Sequence, residues 1–196
     1  MENFHTEMIP DPLPLPTGEG NWRQMLIDIL ETLVISVVLF VLINSVSARI
    51  RVESVSMKGT LNPGDFVLVN RLAYKWSDVN RGDVVVFDPP FDSPEPYVKR
   101  VIGLPGEVVR IEDGHVYVDD VLVQEPYLKV DFHSNGSWEI PADAIFVMGD
   151  NRNNSSDSRS WGTVPTENIL GKALFVYWPV NQWGALATGA VAAENP

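Results

Sequence analysis

The chain has 196 residues, with 26 Asp and Glu against 14 Lys and Arg and no cysteine. That length suits one domain with a tail or anchor rather than two full cores, and a hydrophobic share of 45% excludes wholesale disorder. The missing cysteines exclude a disulfide scaffold, a Cys-ligated metal and a thiol nucleophile. A net charge of −12 argues against a partner held by its phosphates, so no nucleic acid is expected.

The first segment, residues 1–24, is acidic and carries Pro10, Pro12, Pro14 and Pro16, the composition of a flexible Pro-rich tail. Residues 25–48 follow as a helix. From Thr32 to Ala48 no charge appears, and Ile, Val and Leu surround the whole circumference of residues 33–43, where a soluble helix keeps a polar face. Extended back to Met25, at about 1.5 Å per residue, the segment reaches about 36 Å, enough to cross a bilayer. Asp28 and Glu31 sit on one face of its first turns, where headgroups and the positive end of the helix dipole suit acids. A cleaved signal peptide competes, since Val46-Ser47-Ala48 has the small residues of a cleavage site. The long tail before the apolar run, almost without positive charge, speaks against it. Charge does not orient the span: Arg23 on one side against Arg49 and Arg51 on the other points weakly to a cytoplasmic domain.

Beyond Arg51 the pattern is short β runs punctuated by Gly and Pro. Pro63-Gly64-Asp65, Arg81-Gly82-Asp83 and Pro105-Gly106-Glu107 each precede an apolar run, as turns that start strands with Gly free to take positive φ. The Arg-Gly-Asp triplet also spells an adhesion motif, but its place at a strand start makes it a turn. His115–Val118 and Val121–Val123 flank Asp119-Asp120 as a tight hairpin, and Ile145–Met148 and Ala173–Trp178 add strands. No amphipathic helix of ten residues follows the anchor. The fold expected is mainly β, an irregular antiparallel barrel or pair of sheets over residues 49–179, with 180–196 as a C-terminal tail.

Three segments of this domain carry chemistry. Ser54 and Ser56 stand in Val52-Glu53-Ser54-Val55-Ser56-Met57-Lys58-Gly59-Thr60-Leu61, just past the anchor. Lys99 lies in an alternating strand, with Val98, Arg100 and Ile102 on one face and Lys99 and Val101 on the other. A strand lysine ordinarily points to solvent; facing inward, it would lose its charge and become a base. The third is the polar run from Gly149 to Gly162, dense enough in hydrogen-bonding side chains to tie itself down.

In this order after one span, the three segments resemble type I signal peptidase, the membrane-bound Ser/Lys endopeptidase. The family's nucleophile box, Ser-Met-x-Pro-Thr-Leu, is matched by Ser56-Met57-Lys58-Gly59-Thr60-Leu61, with Gly59 in place of Pro and hence a looser turn. Lys99-Arg100-Val101-Ile102-Gly103-Leu104-Pro105-Gly106 matches the lysine box, and Gly149-Asp150-Asn151-Arg152 through Ser155-Ser156-Asp157-Ser158-Arg159-Ser160-Trp161-Gly162 the third. The resemblance implies a signal-peptidase-type β domain behind one transmembrane helix, with Ser56 as nucleophile and Lys99 as general base. It also implies an oxyanion hole from the Ser56 N–H and the Ser54 hydroxyl, Ser155 orienting the lysine, and structural support from Asp157, Arg159 and Asp150. No metal or cofactor is implied. The implied partners are preprotein signal peptides with small residues at −1 and −3, added as an extended strand, and the lipid bilayer, touched by an exposed apolar surface near Met57 and Leu61. A monomer in the cell membrane follows, single-pass, with its catalytic domain on the extracytoplasmic side.

A Ser-His-Asp hydrolase would have to use His5, His115 or His133, none of them near a Gly-x-Ser-x-Gly elbow. The alternative from another class is a non-catalytic, membrane-tethered β binding domain, which an acylating inhibitor of Ser56 would distinguish.

Overall fold

The computed structural model describes residues 21–187 and 191–192; His5, most of the Pro-rich tail and the chain end lie outside them. Two compact units divide at Val41 and Leu42.

Helix α1 (Trp22–Val46) is apolar on every side over residues 33–43 and buries none of its residues. It is long and apolar enough to cross a membrane. Its hydroxyls do not break it, because they bond back into the helix: Thr32 Oγ1 donates to the Asp28 carbonyl at 2.8 Å and Ser36 Oγ to the Thr32 carbonyl at 2.7 Å. The helix begins three residues before the expected Met25, and it stops short of Ala48. Ser47 and Ala48 instead open strand β1 (Ser47–Arg51), where Ala48 pairs with Val69 of β2 (Phe66–Asn70). An antiparallel partner here outcompetes two further residues of helix.

The rest is β. In chain order it adds β3 (Val84–Phe87), β4 (Tyr97–Gly103), β5 (Val108–Glu112), β6 (His115–Val118), β7 (Val121–Gln124), β8 (Gly136–Glu139) and β9 (Ala144–Met148). A single helical turn, α2 (Ser158–Trp161), precedes β10 (Val164–Pro165), β11 (Ile169–Trp178), β12 (Gly184–Ala185) and β13 (Val191–Ala192). One sheet runs β1-β2-β11-β3-β4-β9-β10, with β12 on β11; the other runs β13-β7-β6-β5-β8. Both are antiparallel throughout, as short strands joined by tight turns require. Gly64, Gly82 and Gly106 take φ of 95°, 88° and 82°, so each turn uses glycine's freedom at positive φ. Asp119 and Asp120, at φ 48° and 65°, form the paired positive-φ turn that matches hairpin twist. The Arg-Gly-Asp triplet is built in: Arg81 pairs with Glu107, and Asp83, fully buried, takes Lys172 Nζ at 2.6 Å and the Tyr74 hydroxyl at 2.9 Å.

β3 and β4 lie inside the first sheet, and this decides the site. Val84 and Val86 face a core made with Val52, Met57, Leu61, Val67, Val69, Ala173 and Val176. Val85 and Phe87, on the other face, pack with Val101, Ile145, Val147 and Val164. The uninterrupted Val-Val-Val-Phe run is thus a strand buried on both sides. Register places Lys99 opposite Val85 and Arg100 opposite Val84, so β4 has no solvent face to offer either cation. Met57 and Leu61 correct an expectation: rather than forming an exposed apolar surface, they are 1% and 0% accessible, because the turns after Ser56 fold them against β2 and β3.

Candidate active site

The loop from Val52 to Leu61 is secured at its ends and in its middle. The Val52 N–H donates to the Asp65 carbonyl at 2.8 Å, and the Leu61 N–H to the Met57 carbonyl at 2.8 Å. Lys58 and Thr60 N–H groups close tight turns onto Val55 and Met57 at 3.0 and 3.1 Å. Gly59 sits in these turns at φ 113°, a conformation that proline, fixed near −65°, cannot adopt. Where the sequence suggests a looser turn, the backbone follows a different, hydrogen-bonded path.

On this loop Ser56 is buried, and its Oγ accepts a 2.7 Å hydrogen bond from Lys99 Nζ. Lys99 is 3% accessible. Its amine also reaches the Val98 carbonyl at 3.3 Å and lies 5.2 Å from the Tyr97 ring centre. Burial pushes the Lys99 amine down from 10.5 to about 8, against the opposing pull of the Asp157 and Asp150 carboxylates. Ser54 Oγ lies 3.1 Å from Ser56 Oγ.

The third segment packs beneath them. The Asn151 N–H donates to the Ser56 carbonyl at 2.9 Å and Asn151 Nδ2 to the Val55 carbonyl at 3.0 Å, so this loop carries the backbone of the first. A Cβ on Gly149 would lie 2.4 Å from the Ser56 carbonyl oxygen and 2.3 Å from Ser155 Oγ; only glycine fits. Ser155 Oγ is buried there without a hydrogen-bond partner, so the expected bond from Ser155 to Lys99 is not made in this structure. Asp157, fully buried, caps α2. Its carboxylate takes the Gly149 N–H at 3.0 Å and pairs with Arg159 at 2.8 and 2.9 Å. Asp150 pairs with Arg100 through two hydrogen bonds of 2.9 and 2.7 Å and takes the Thr60 hydroxyl at 2.5 Å.

Several of these partners escape the sequence. Arg100 is the most deeply buried cation, at 0% accessible, and stacks 4.0 Å from the Tyr127 ring centre. Arg152 forms a second buried pair with Glu125, from the loop after β7, and its Nε donates to the Gly149 carbonyl at 3.1 Å. The order Lys99-Arg100 could have flagged one cation as inward, since neighbours in a strand face opposite ways, but nothing local says that both faces are covered.

Above the Ser56–Lys99 pair opens a cleft of about 540 Å³, walled by residues 50–57 on one side and 95–99 on the other, with Val86 among its lining residues and Asn154 and Ser156 at one end. Among the described residues no cluster of His, Asp and Glu could hold a metal ion.

Residues 26–178 match the family model described as "Signal peptidase, peptidase S26". The protein is therefore a peptidase. More closely, the chain belongs to the signal peptidase family. It is 37% identical over 186 residues to a probable signal peptidase I-1 of Synechocystis, covering 90% of this chain and 92% of that one. To a signal peptidase I of Leptolyngbya laminosa it is 40% identical over 166 residues, 80% of this chain and 82% of the other. A crystal structure of a signal peptidase I from Enterococcus faecalis is similar at 29% identity and a TM-score of 0.45, covering 49% of this chain and 97% of that one. Membership in a peptidase family leaves the non-catalytic binding domain without support.

Proposed function

We propose that the protein is a membrane-anchored endopeptidase that removes N-terminal signal peptides from exported preproteins, with Ser56 as nucleophile and Lys99 as general base. The observation that carries this is the 2.7 Å contact between Lys99 Nζ and Ser56 Oγ, both buried. Neutral Lys99 takes the hydroxyl proton as Ser56 Oγ attacks the scissile carbonyl; the lysinium then gives that proton to the leaving amine, and a water repeats the exchange to free the acyl-enzyme. With an amine titrating at about 8, about one molecule in ten is ready at pH 7. Ser54 Oγ, 3.1 Å from Ser56 Oγ, is placed to join the Ser56 N–H in holding the oxyanion, and such donors are worth about 3 kcal/mol each.

The cleft suits an extended peptide laid between residues 50–57 and 95–99, with alternate side chains turned toward Val52, Val86 and Val98. On this reading the substrate carries small residues at −1 and −3. Asp157, Arg159 and Asp150 support the site without touching substrate, and Ser155 orients the lysine once its hydroxyl turns toward it. On this reading α1 anchors the protein in a single pass, the catalytic domain lies on the extracytoplasmic side of the cell membrane, and the protein works as a monomer in contact with lipid. The test is covalent trapping: an acylating peptide mimic should add one acyl mass to the peptide holding Ser56. Labelling elsewhere, or none, overturns the assignment.

A further inference from the structure

Residues 184–187, which the sequence leaves outside the catalytic domain, reach back into it. β12 pairs with β11, Ala185 opposite Phe175. The Leu186 N–H donates to the Leu174 carbonyl at 2.9 Å, and the Leu186 side chain packs on the core that holds Met57 and Leu61. One residue later, the Ala187 carbonyl accepts from Arg100 Nη1 at 2.8 Å.

That bond completes an inventory. A guanidinium carries five N–H donors in a rigid fork, and in a fully buried Arg100 each needs an acceptor. Nε meets Asp150 Oδ1 at 2.9 Å, and Nη2 meets Asp150 Oδ2 at 2.7 Å and Thr60 Oγ1 at 3.4 Å. Nη1 meets the Gly82 carbonyl and the Ala187 carbonyl, each at 2.8 Å. The fork thus joins all three motif segments: Thr60 from the nucleophile loop, Asp150 from the loop beneath it, and Arg100 itself, next to Lys99. Its fifth acceptor comes from the C-terminal segment.

We propose that Ala187 is a positioning residue of the peptidase reaction: its carbonyl, delivered by residues 184–187, completes the acceptor set of Arg100 and so holds Lys99, the Asp150 loop and the nucleophile loop in register. The role rests on the Ser56–Lys99 mechanism above. Without that carbonyl, one buried N–H must draw in water or swing toward another acceptor. Either movement disturbs the strand at Lys99. A loosened Arg100 also neutralises Asp150 less, and that carboxylate raises the lysine's pKa, so the acid limb of activity moves to higher pH.

The test uses the full chain in three variants: Leu186→Asp, Leu186→Pro and Leu186→Met. Leu186→Pro deletes the N–H that ties the segment to the Leu174 carbonyl, and so releases the Ala187 carbonyl without placing a charge in the core. Cleavage of a preprotein is followed from pH 6 to 9, with melting temperatures alongside. Leu186→Met should behave as wild type. The other two should lose about tenfold in kcat, the scale of one buried hydrogen bond, with KM changed by less than about twofold and the acid limb shifted upward. If Leu186→Asp does not fold, Leu186→Pro decides alone. A Leu186→Pro variant with wild-type kcat and acid limb overturns the proposal, as does one whose lost activity only tracks a lost folded fraction. Ser56→Ala in the same assay separates the two failures: cleavage by it removes the Ser/Lys mechanism, whereas an inert Ser56→Ala beside a fully active Leu186→Pro removes only the role of Ala187.

Discussion

Replacing Lys99 should raise stability while abolishing activity, because burial of one amine governs both. Its pKa falls from 10.5 to about 8. At pH 7 about one molecule in ten then holds the neutral amine, against about one in three thousand at the ordinary value, a gain of roughly 300-fold in competent base. kcat/KM should therefore climb about tenfold per pH unit below pH 7 and level off above about 8. Lys99→Arg keeps charge and length, but a guanidinium with pKa above about 12 cannot surrender its proton, so its rate should fall to background at every pH, as for Lys99→Met. Stability moves the other way. The folded pKa lies below the unfolded one, so the folded protein binds fewer protons, and this group's contribution to stability rises as pH climbs from about 8 to 10.5. Below 8 the full cost of the buried cation is present, about 3 kcal/mol at about 1.4 kcal/mol per pH unit. Lys99→Met removes that cost, so its melting temperature should exceed wild type at pH 7, with the difference closing above about 10.5. Peptide cleavage from pH 5 to 10 and thermal melts at both ends read the two effects. Substantial turnover by Lys99→Arg, or a Met variant equally destabilised at both pH values, refutes the reasoning.

Gly149→Ala drives a methyl into the Ser56 carbonyl and Ser155 Oγ; activity should drop at least tenfold at a stability cost of about 1–3 kcal/mol, read by kinetics and melts, and an unaffected enzyme would show that the loops are not locked together. Gly59→Pro meets no neighbour within 4 Å, so its effect isolates the backbone: at φ 113° the ring cannot close, and both activity and melting temperature should fall although the family box carries proline there. Asp157→Asn leaves Arg159 without its carboxylate, for a loss of about 3 kcal/mol, and removes the larger of the two negative charges that raise the Lys99 pKa against burial. Its residual activity should show an acid limb at lower pH than wild type; a limb at higher pH would contradict that electrostatic role.

What the sequence makes legible depends on how local the cause is. The long apolar helix is legible because composition alone dictates it, and the Gly-started strands and the Asp119-Asp120 hairpin because backbone chirality does. β8 is not, since Gly-Ser-Trp-Glu has no β-branched run and becomes a strand only by pairing with β5. Burial of Lys99 and Arg100 follows from β4 lying between β3 and β9, a strand more than forty residues further on, which no window of sequence contains. Met57 and Leu61 share that cause: the resemblance implies an exposed apolar surface near them, but both pack against β2 and β3, strands further along the chain. Motif order could name Ser56 and Lys99. Only the fold brings them to 2.7 Å.

The central claim is that this Ser/Lys pair cuts signal peptides, and the most direct measurement is N-terminal sequencing of a model preprotein after incubation with the full-length wild type or with Ser56→Ala. The wild type should yield one new N-terminus, preceded by small residues at −1 and −3, and Ser56→Ala should yield none. The same new N-terminus produced by Ser56→Ala at the wild-type rate would contradict the claim.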